Sequence, residues 1–127
     1  MAKARKSPTA RTLEWLRKEG FDADVSEKWN HITKQRRDLF NCLDIVALHP
    51  EKGIIGIQAT SASNMSARLH KIQDETQTKA RAWLKAGGKF WIVGWSQKVV
   101  RRKTKDKPSR RQWMPTLDVV TLERLGA

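Results

Sequence analysis

A chain of 127 residues is one ordinary domain, long enough to bury several strands and two or three helices. Its 39% hydrophobic content, with six Trp, excludes a disordered tail, and no stretch approaches the roughly 20 apolar residues of a membrane-spanning helix. Lys and Arg number 26 against 13 Asp and Glu, a net charge of +13, and so large an excess repels itself unless a polyanion such as nucleic acid neutralises it and releases counterions.

Residues 1–7 carry three cations (Lys3, Arg5, Lys6) and no acid, and read as a flexible basic arm. The charged start is followed by Ser7-Pro8, not by an apolar core, so no secretory signal is expected. A helix starts near Pro8-Thr9, where a capping residue stands beside a first-turn proline, and buries Leu13, Leu16 and Trp15. Gly20 is placed to end it in a left-handed conformation. Phe21 to Asn30 alternates loosely, as an edge strand would, and Thr33 to Arg37 reads as loop. The only cysteine, Cys42, excludes an internal disulfide, fits a reducing compartment, and reads as core. Leu43–Leu48 and Ile54–Thr60 are two nearly continuous apolar runs joined by His49-Pro50-Glu51-Lys52-Gly53, which predicts a β-hairpin.

Ser61 or Ser63 can cap a following helix, with Met65, Leu69 and Ile72 on one face. A second helical stretch runs from about Glu75 to Ala86 and stops at Gly87-Gly88. Phe90 to Trp95 is a strand with Phe90, Ile92 and Gly94 on one face and Trp91, Val93 and Trp95 on the other. Arg101 to Arg111 reads as a basic loop and Trp113 to Leu122 as a closing strand. The expected order is α-β-β-β-α-(α)-β-β in a single α/β domain, without internal repeats.

If Leu48 faces Ile54 across the turn, opposing residue numbers sum to 102 and Asp44 faces Gln58. Two polar residues facing each other in apolar strands imply a shared partner: each other, a water or a metal ion. A hard divalent cation takes oxygen ligands. Asp44 offers a carboxylate, Gln58 a side-chain carbonyl and Ala59 a main-chain carbonyl, and Glu14 adds a second carboxylate if the first helix packs over this end of the sheet. A purely structural carboxylate–amide hydrogen bond accounts for the Asp44–Gln58 spacing equally well. Asp38, six residues earlier, reads as a loop carboxylate paired with Arg36 or Arg37 in preference to a member of the same face.

The run from Arg37-Asp38 through Leu43-Asp44-Ile45-Val46-Ala47-Leu48, the turn, and then Ile55-Gly56-Ile57-Gln58-Ala59-Thr60 resembles the PD-(D/E)xK nuclease superfamily, in its Holliday-junction resolvase-like and phage branches. The resemblance covers roughly residues 9–95 through short motifs. It implies a restriction-endonuclease-like three-layer core of α-β-β-β-α-β order, a mixed sheet flanked by helices, and Mg²⁺ or Mn²⁺ as cofactor. Carried over by position, Asp44 matches the metal-binding aspartate, Gln58 the Glu or Gln of the second half-motif, and Glu14 the helical glutamate. Thr60 stands at the lysine position, so Arg68 or Lys71 on the next helix would have to supply the missing positive charge. The resemblance also implies a bacterial or phage-encoded protein of the cytoplasm, and a homodimer.

Nucleic-acid contacts are expected from Lys3, Arg5 and Lys6 of the arm, from Arg36 and Arg37, and from Arg101, Arg102, Lys103, Arg110 and Arg111 of the basic loop. Ser63 and Asn64 at a helix start, with Arg68 and Lys71 on that helix, are further phosphate contacts. Trp83, Trp91 and Trp95 read as core, while Trp29 or Trp113 could stack on an unpaired base. Three functions remain open on the sequence. The first is a metal-dependent DNA endonuclease of the resolvase-like type. The second is a DNA- or RNA-binding module of the same fold with weak or no catalysis, and the third an RNA- or ribosome-binding accessory protein.

Overall fold

The computed structural model describes residues 6–26, 28–100 and 110–126, with the backbone alone for 28–30 and 36. The chain forms α1 (Pro8–Lys18), β1 (Asp22–Val25), β2 (Lys28–Asn30), β3 (Gln35–Arg37), β4 (Ile45–His49), β5 (Gly53–Ser61), α2 (Met65–Glu75), α3 (Gln77–Lys85), β6 (Lys89–Val100) and β7 (Arg110–Val120). Short 3₁₀ turns at Ala62–Asn64 and Glu123–Leu125 complete it.

Five strands make a mixed sheet in the order β1-β4-β5-β6-β7. All neighbours are antiparallel except β5 and β6, whose parallel pairing requires the crossover that α2 and α3 supply. The hairpin register is the expected one, with Leu48 opposite Ile54 and Ile45 opposite Ile57. His49 Nδ1 accepts the amides of Glu51 and Lys52 at 3.1 and 3.2 Å, which organises the turn.

Helices cover both faces because strand residues alternate. Val93 and Trp95 of β6 join Ile45, Ala47, Ile55 and Ile57 under Leu16 of α1, with Trp91 packed against them. Phe90 and Ile92 join Leu43, Ile72, Ala80 and Val120 under α2 and α3. Gly94 is required where α2 enters. A Cβ there would run into the Met65 sulfur and lie 2.9 Å from the Ala62 Cα. Thr12, wholly buried in α1, is satisfied on both sides: its hydroxyl donates to the Pro8 carbonyl at 2.7 Å and accepts the Trp95 indole at 2.9 Å. Ser7 caps α1 by accepting the Ala10 amide, and Gly20 leaves the helix with φ +92°.

Several expectations are corrected. Phe21–Asn30 is not one strand. β1 joins the edge of the main sheet, whereas β2 pairs with β3 (Gln35–Arg37), inside the stretch expected as loop, in a separate two-stranded ribbon. Neither Ser61 nor Ser63 caps α2 with its side chain. Their hydroxyls lie 3.2 Å from each other, and a 3₁₀ turn intervenes. Arg110 and Arg111 belong to β7, opposite Val100 and Val99, and not to a loop. The pairing of β5 with β6 ends at Ser61–Trp95, yet β6 and β7 remain paired from Ser96–Met114 to Val100–Arg110. They therefore continue as a two-stranded ribbon past the C-terminal end of β5. No helix among the described residues is long and apolar enough to cross a membrane.

Candidate active site

The C-terminal end of β5 opens into a cavity of about 450 Å³ lined by Asp38, Asp44, Thr60, Asn64 and Arg68, with Pro8 and Thr9 of α1 on its rim. Each wall has a local cause. Asp44 stands where the β4–β5 ladder ends. Its amide donates to the Ile57 carbonyl and its carbonyl accepts the Ser26 amide, both at 2.9 Å. With its backbone held from both sides, the carboxylate turns along β5, and Oδ2 accepts the Ala59 amide at 2.9 Å.

Asp38 arrives by a tight turn. The amides of Asn41 and Cys42 donate to the carbonyls of Asp38 and Leu39, and Phe40 and Asn41 both take left-handed backbone, with φ 55° and 60°. That conformation is strained for Phe40, and such strain concentrates at functional sites. The turn carries Asp38 into the cavity wall with Asp44, close enough for its carboxyl to act on that of Asp44. Of the two arginines expected to pair with Asp38, the side chain of Arg36 lies outside the described residues. Arg37 Nε donates to Asn41 Oδ1 at 2.9 Å and so braces the same turn.

Burial pushes the Asp44 carboxyl up to about 7, helped by the hydrogen bond and negative charge of Asp38, against the opposing pull of the Ala59 amide and the Arg68 guanidinium. Two carboxyl groups forced together beside a guanidinium form an arrangement that a cation relieves. The N-termini of α1 and α2 both border the cavity, and the positive ends of their dipoles favour an anion there.

The other expected site residues sort unequally. Thr60 is 4% exposed and lines the cavity. Gln58 is buried and lies outside the residues that line the cavity; its Nε2 donates to the Cys42 carbonyl at 3.3 Å and Oε1 has no partner. The facing Asp44–Gln58 pair is therefore not formed: the register that predicts it holds through Ile45–Ile57, but the two side chains take different partners. Ala59 gives its amide to Asp44, a contact opposite in polarity to the carbonyl ligand expected of it.

Glu14 does not reach this cavity. It lies outside the residues that line it and pairs with Lys6 at 2.5 Å and Lys18 at 3.8 Å, which hold its carboxyl below the usual range. Lys6 is correspondingly tied to α1. Among the described residues no cluster of three or more His, Cys, Asp or Glu is gathered.

Of the two cations proposed to replace the missing lysine, Arg68 lines the cavity while Lys71, one turn on, is exposed outside it. Ser63 is exposed beside Ser61, and Asn64 contributes to the wall. Cys42 is buried, and burial raises its thiol to about 11, consistent with a core residue. Lys3, Arg5, Arg101, Arg102 and Lys103 lie outside the described residues, as do the side chains of Trp29 and Arg36.

The β6–β7 ribbon leaves the sheet at the same end as this cavity, because β6 runs parallel to β5. By sequence, residues 97–111 hold eight cations and one acid. The cavity therefore lies at the end of the sheet from which a ribbon bearing Lys98, Arg110 and Arg111 departs. Comparison with protein-family models, with curated proteins and with solved structures finds no significant match to this chain.

Proposed function

We propose that this chain is a metal-dependent DNA endonuclease of the resolvase-like type, with its active site in the Asp38–Asp44 cavity. The observation that carries this reading is one cavity lined by both carboxyl groups and by Arg68, in a protein of net charge +13. The order α1, β1, β4, β5, α2, β6 supports it too, since it follows the α-β-β-β-α-β core of the PD-(D/E)xK nucleases once the β2–β3 ribbon is set aside.

The residues present fit Mg²⁺ or Mn²⁺. Asp38 and Asp44 would hold it, and Mg²⁺ is commonly held by one or two carboxylates together with substrate phosphate and water. Such an ion supplies positive charge against the charge that builds on the phosphate and favours attack by water. The protein does the rest. The Ala59 amide fixes the rotamer of Asp44 through Oδ2. Arg68 takes a phosphate oxygen, in the role that Thr60 cannot fill without a charge. The N-termini of α1 and α2 orient the phosphate, and the β6–β7 ribbon follows the backbone of the nucleic acid.

The second reading, a DNA- or RNA-binding module of the same fold with weak or no catalysis, is favoured by one observation. Gln58 lies outside the cavity lining and Glu14 is paired elsewhere, so the described residues supply only two acidic ligands.

One assay decides between them. Purified protein is incubated with labelled four-way junction, duplex and single-stranded DNA in Mg²⁺, Mn²⁺ or EDTA, beside Asp44→Ala. Metal-dependent cleavage that the variant loses, with DNA binding retained, establishes the nuclease. Tight, salt-sensitive binding without cleavage in either metal establishes the binding module, and equal cleavage by both proteins rejects the site.

A further inference from the structure

A second cleft, of about 330 Å³, lies between α1 and β7 and shares no lining residue with the carboxylate cavity. Its volume is within the roughly 300–1,000 Å³ typical of small-ligand sites. Its walls combine cations and aromatic rings: Lys6, Arg11, Trp15 and Lys18 from the α1 side, Trp113 and Met114 from β7. Trp113 is 39% exposed, although a Trp at a sheet position would ordinarily be covered. The Arg11 guanidinium lies 3.8 Å from the centre of its ring. The opposite wall is rigid: Trp15 packs edge-on against Trp95 at 6.2 Å, and the Trp95 indole is bonded to buried Thr12. Three cations against the single carboxylate of Glu14 leave the cleft positive.

We propose that this cleft binds an unpaired base of single-stranded nucleic acid, stacked on Trp113, with Arg11 holding the adjoining phosphate. Guanidinium and indole together recognise a flat aromatic group attached to an anion, and stacking tolerates any base because every base has a π-face. A paired base cannot enter a concave site while it remains stacked in a duplex.

The location fits the same strand. The first turn of α1, with Pro8 and Thr9, borders the carboxylate cavity, and the next two turns, with Arg11 and Trp15, border the cleft. At 1.5 Å per residue, Thr9 and Trp15 are separated by about 9 Å along the helix axis. Trp113 stands at the root of the β6–β7 ribbon, opposite Gln97. A strand with its phosphate at Asp38 and Asp44 would thus present a neighbouring nucleotide to Trp113, so the enzyme would act where duplex gives way to single strand.

The inference rests on the nucleic-acid partner of the preceding section and not on its chemistry, so binding is measured in EDTA. Fluorescence anisotropy compares wild type, Trp113→Ala and Trp113→Leu on three labelled probes: an intact single strand, an abasic single strand of equal length and charge, and a duplex. Wild type is expected to bind the intact strand at least tenfold more tightly than the abasic one. Both variants should lose about tenfold on the intact strand, the usual effect of removing one stacking platform, and almost nothing on the abasic strand or the duplex. Trp113→Leu keeps apolar cover without a π-face, so it reports on stacking even if Trp113→Ala unfolds.

Unchanged binding of the intact strand by Trp113→Leu, or an equal loss on all three probes, overturns the proposal. So does displacement of the intact strand by polyglutamate with a potency that depends on Trp113, which would assign the cleft to an acidic peptide. A failure here leaves metal-dependent cleavage by wild type untouched, and a failure of cleavage leaves the single-strand preference untouched.

Discussion

At Asp44 the fold opposes its own charge. The free carboxyl titrates near 3.8 but in the folded protein near 7, because it is buried against Asp38. Between those values the folded state holds a proton that the unfolded state has released. Stability therefore falls as pH rises from about 4 to about 7 and levels off above that. Asp44→Asn keeps an acceptor for the Ala59 amide and removes the charge. It should raise stability at pH 8 by roughly 1–3 kcal/mol, a rise of several degrees in Tm, and the gain should shrink to nothing near pH 4. Thermal melts of wild type and variant across pH 4–8 check this, and a constant difference would show that Asp44 carries no unfavourable charge. The sequence displayed Asp44 clearly, as the one acid in an apolar strand. Its partner was illegible, because Asp38 reaches it through two consecutive left-handed residues, Phe40 and Asn41, neither of them glycine.

The central hairpin was legible because its turn is short and its apolar runs are long, so one register buries both strands. What a register cannot convey is where side chains turn once the ladder stops. Gln58 therefore went to the Cys42 carbonyl and Asp44 to the Ala59 amide. The small β2–β3 ribbon was hidden by its charges, since Gln35-Arg36-Arg37 has no apolar alternation to mark a strand. The 3₁₀ turn and α2 depend on Gly94, which lets Ala62 and Met65 pack on β6. Gly94→Ala should cost about 1–3 kcal/mol by overpacking and shift the segment that carries Asn64 and Arg68. Urea denaturation is expected to show the loss, and phosphodiester cleavage under native conditions should fall with it. Full stability in this variant would mean that the packing at Gly94 is not tight.

Over the whole molecule, charge is distributed unevenly. By sequence, residues 97–111 contribute a net +7 of the total +13, and of their cations Lys98, Arg110 and Arg111 stand on a ribbon that leaves the sheet at the end where the carboxylate cavity opens. Composition predicts a polyanion partner, and on the proposed function it would approach the end of the sheet from which this ribbon departs. Arg110→Gln with Arg111→Gln should weaken binding to all duplex sequences alike. It should reduce the slope of log K against log salt by about 2, since each phosphate contact contributes about 0.9. Binding isotherms at several salt concentrations check this, and an unchanged slope would remove the ribbon from the interface.

Whether Asp38 and Asp44 together hold a divalent cation is decided by calorimetric titration of Mn²⁺ into wild type, Asp38→Asn and Asp44→Asn at pH 6 and pH 8. One Mn²⁺ is expected per wild-type chain, bound more tightly at pH 8, where the ion no longer competes with the proton on Asp44, and affinity at least tenfold lower in each variant. Wild-type affinity in either variant, or no binding by wild type at pH 8, would contradict a shared site.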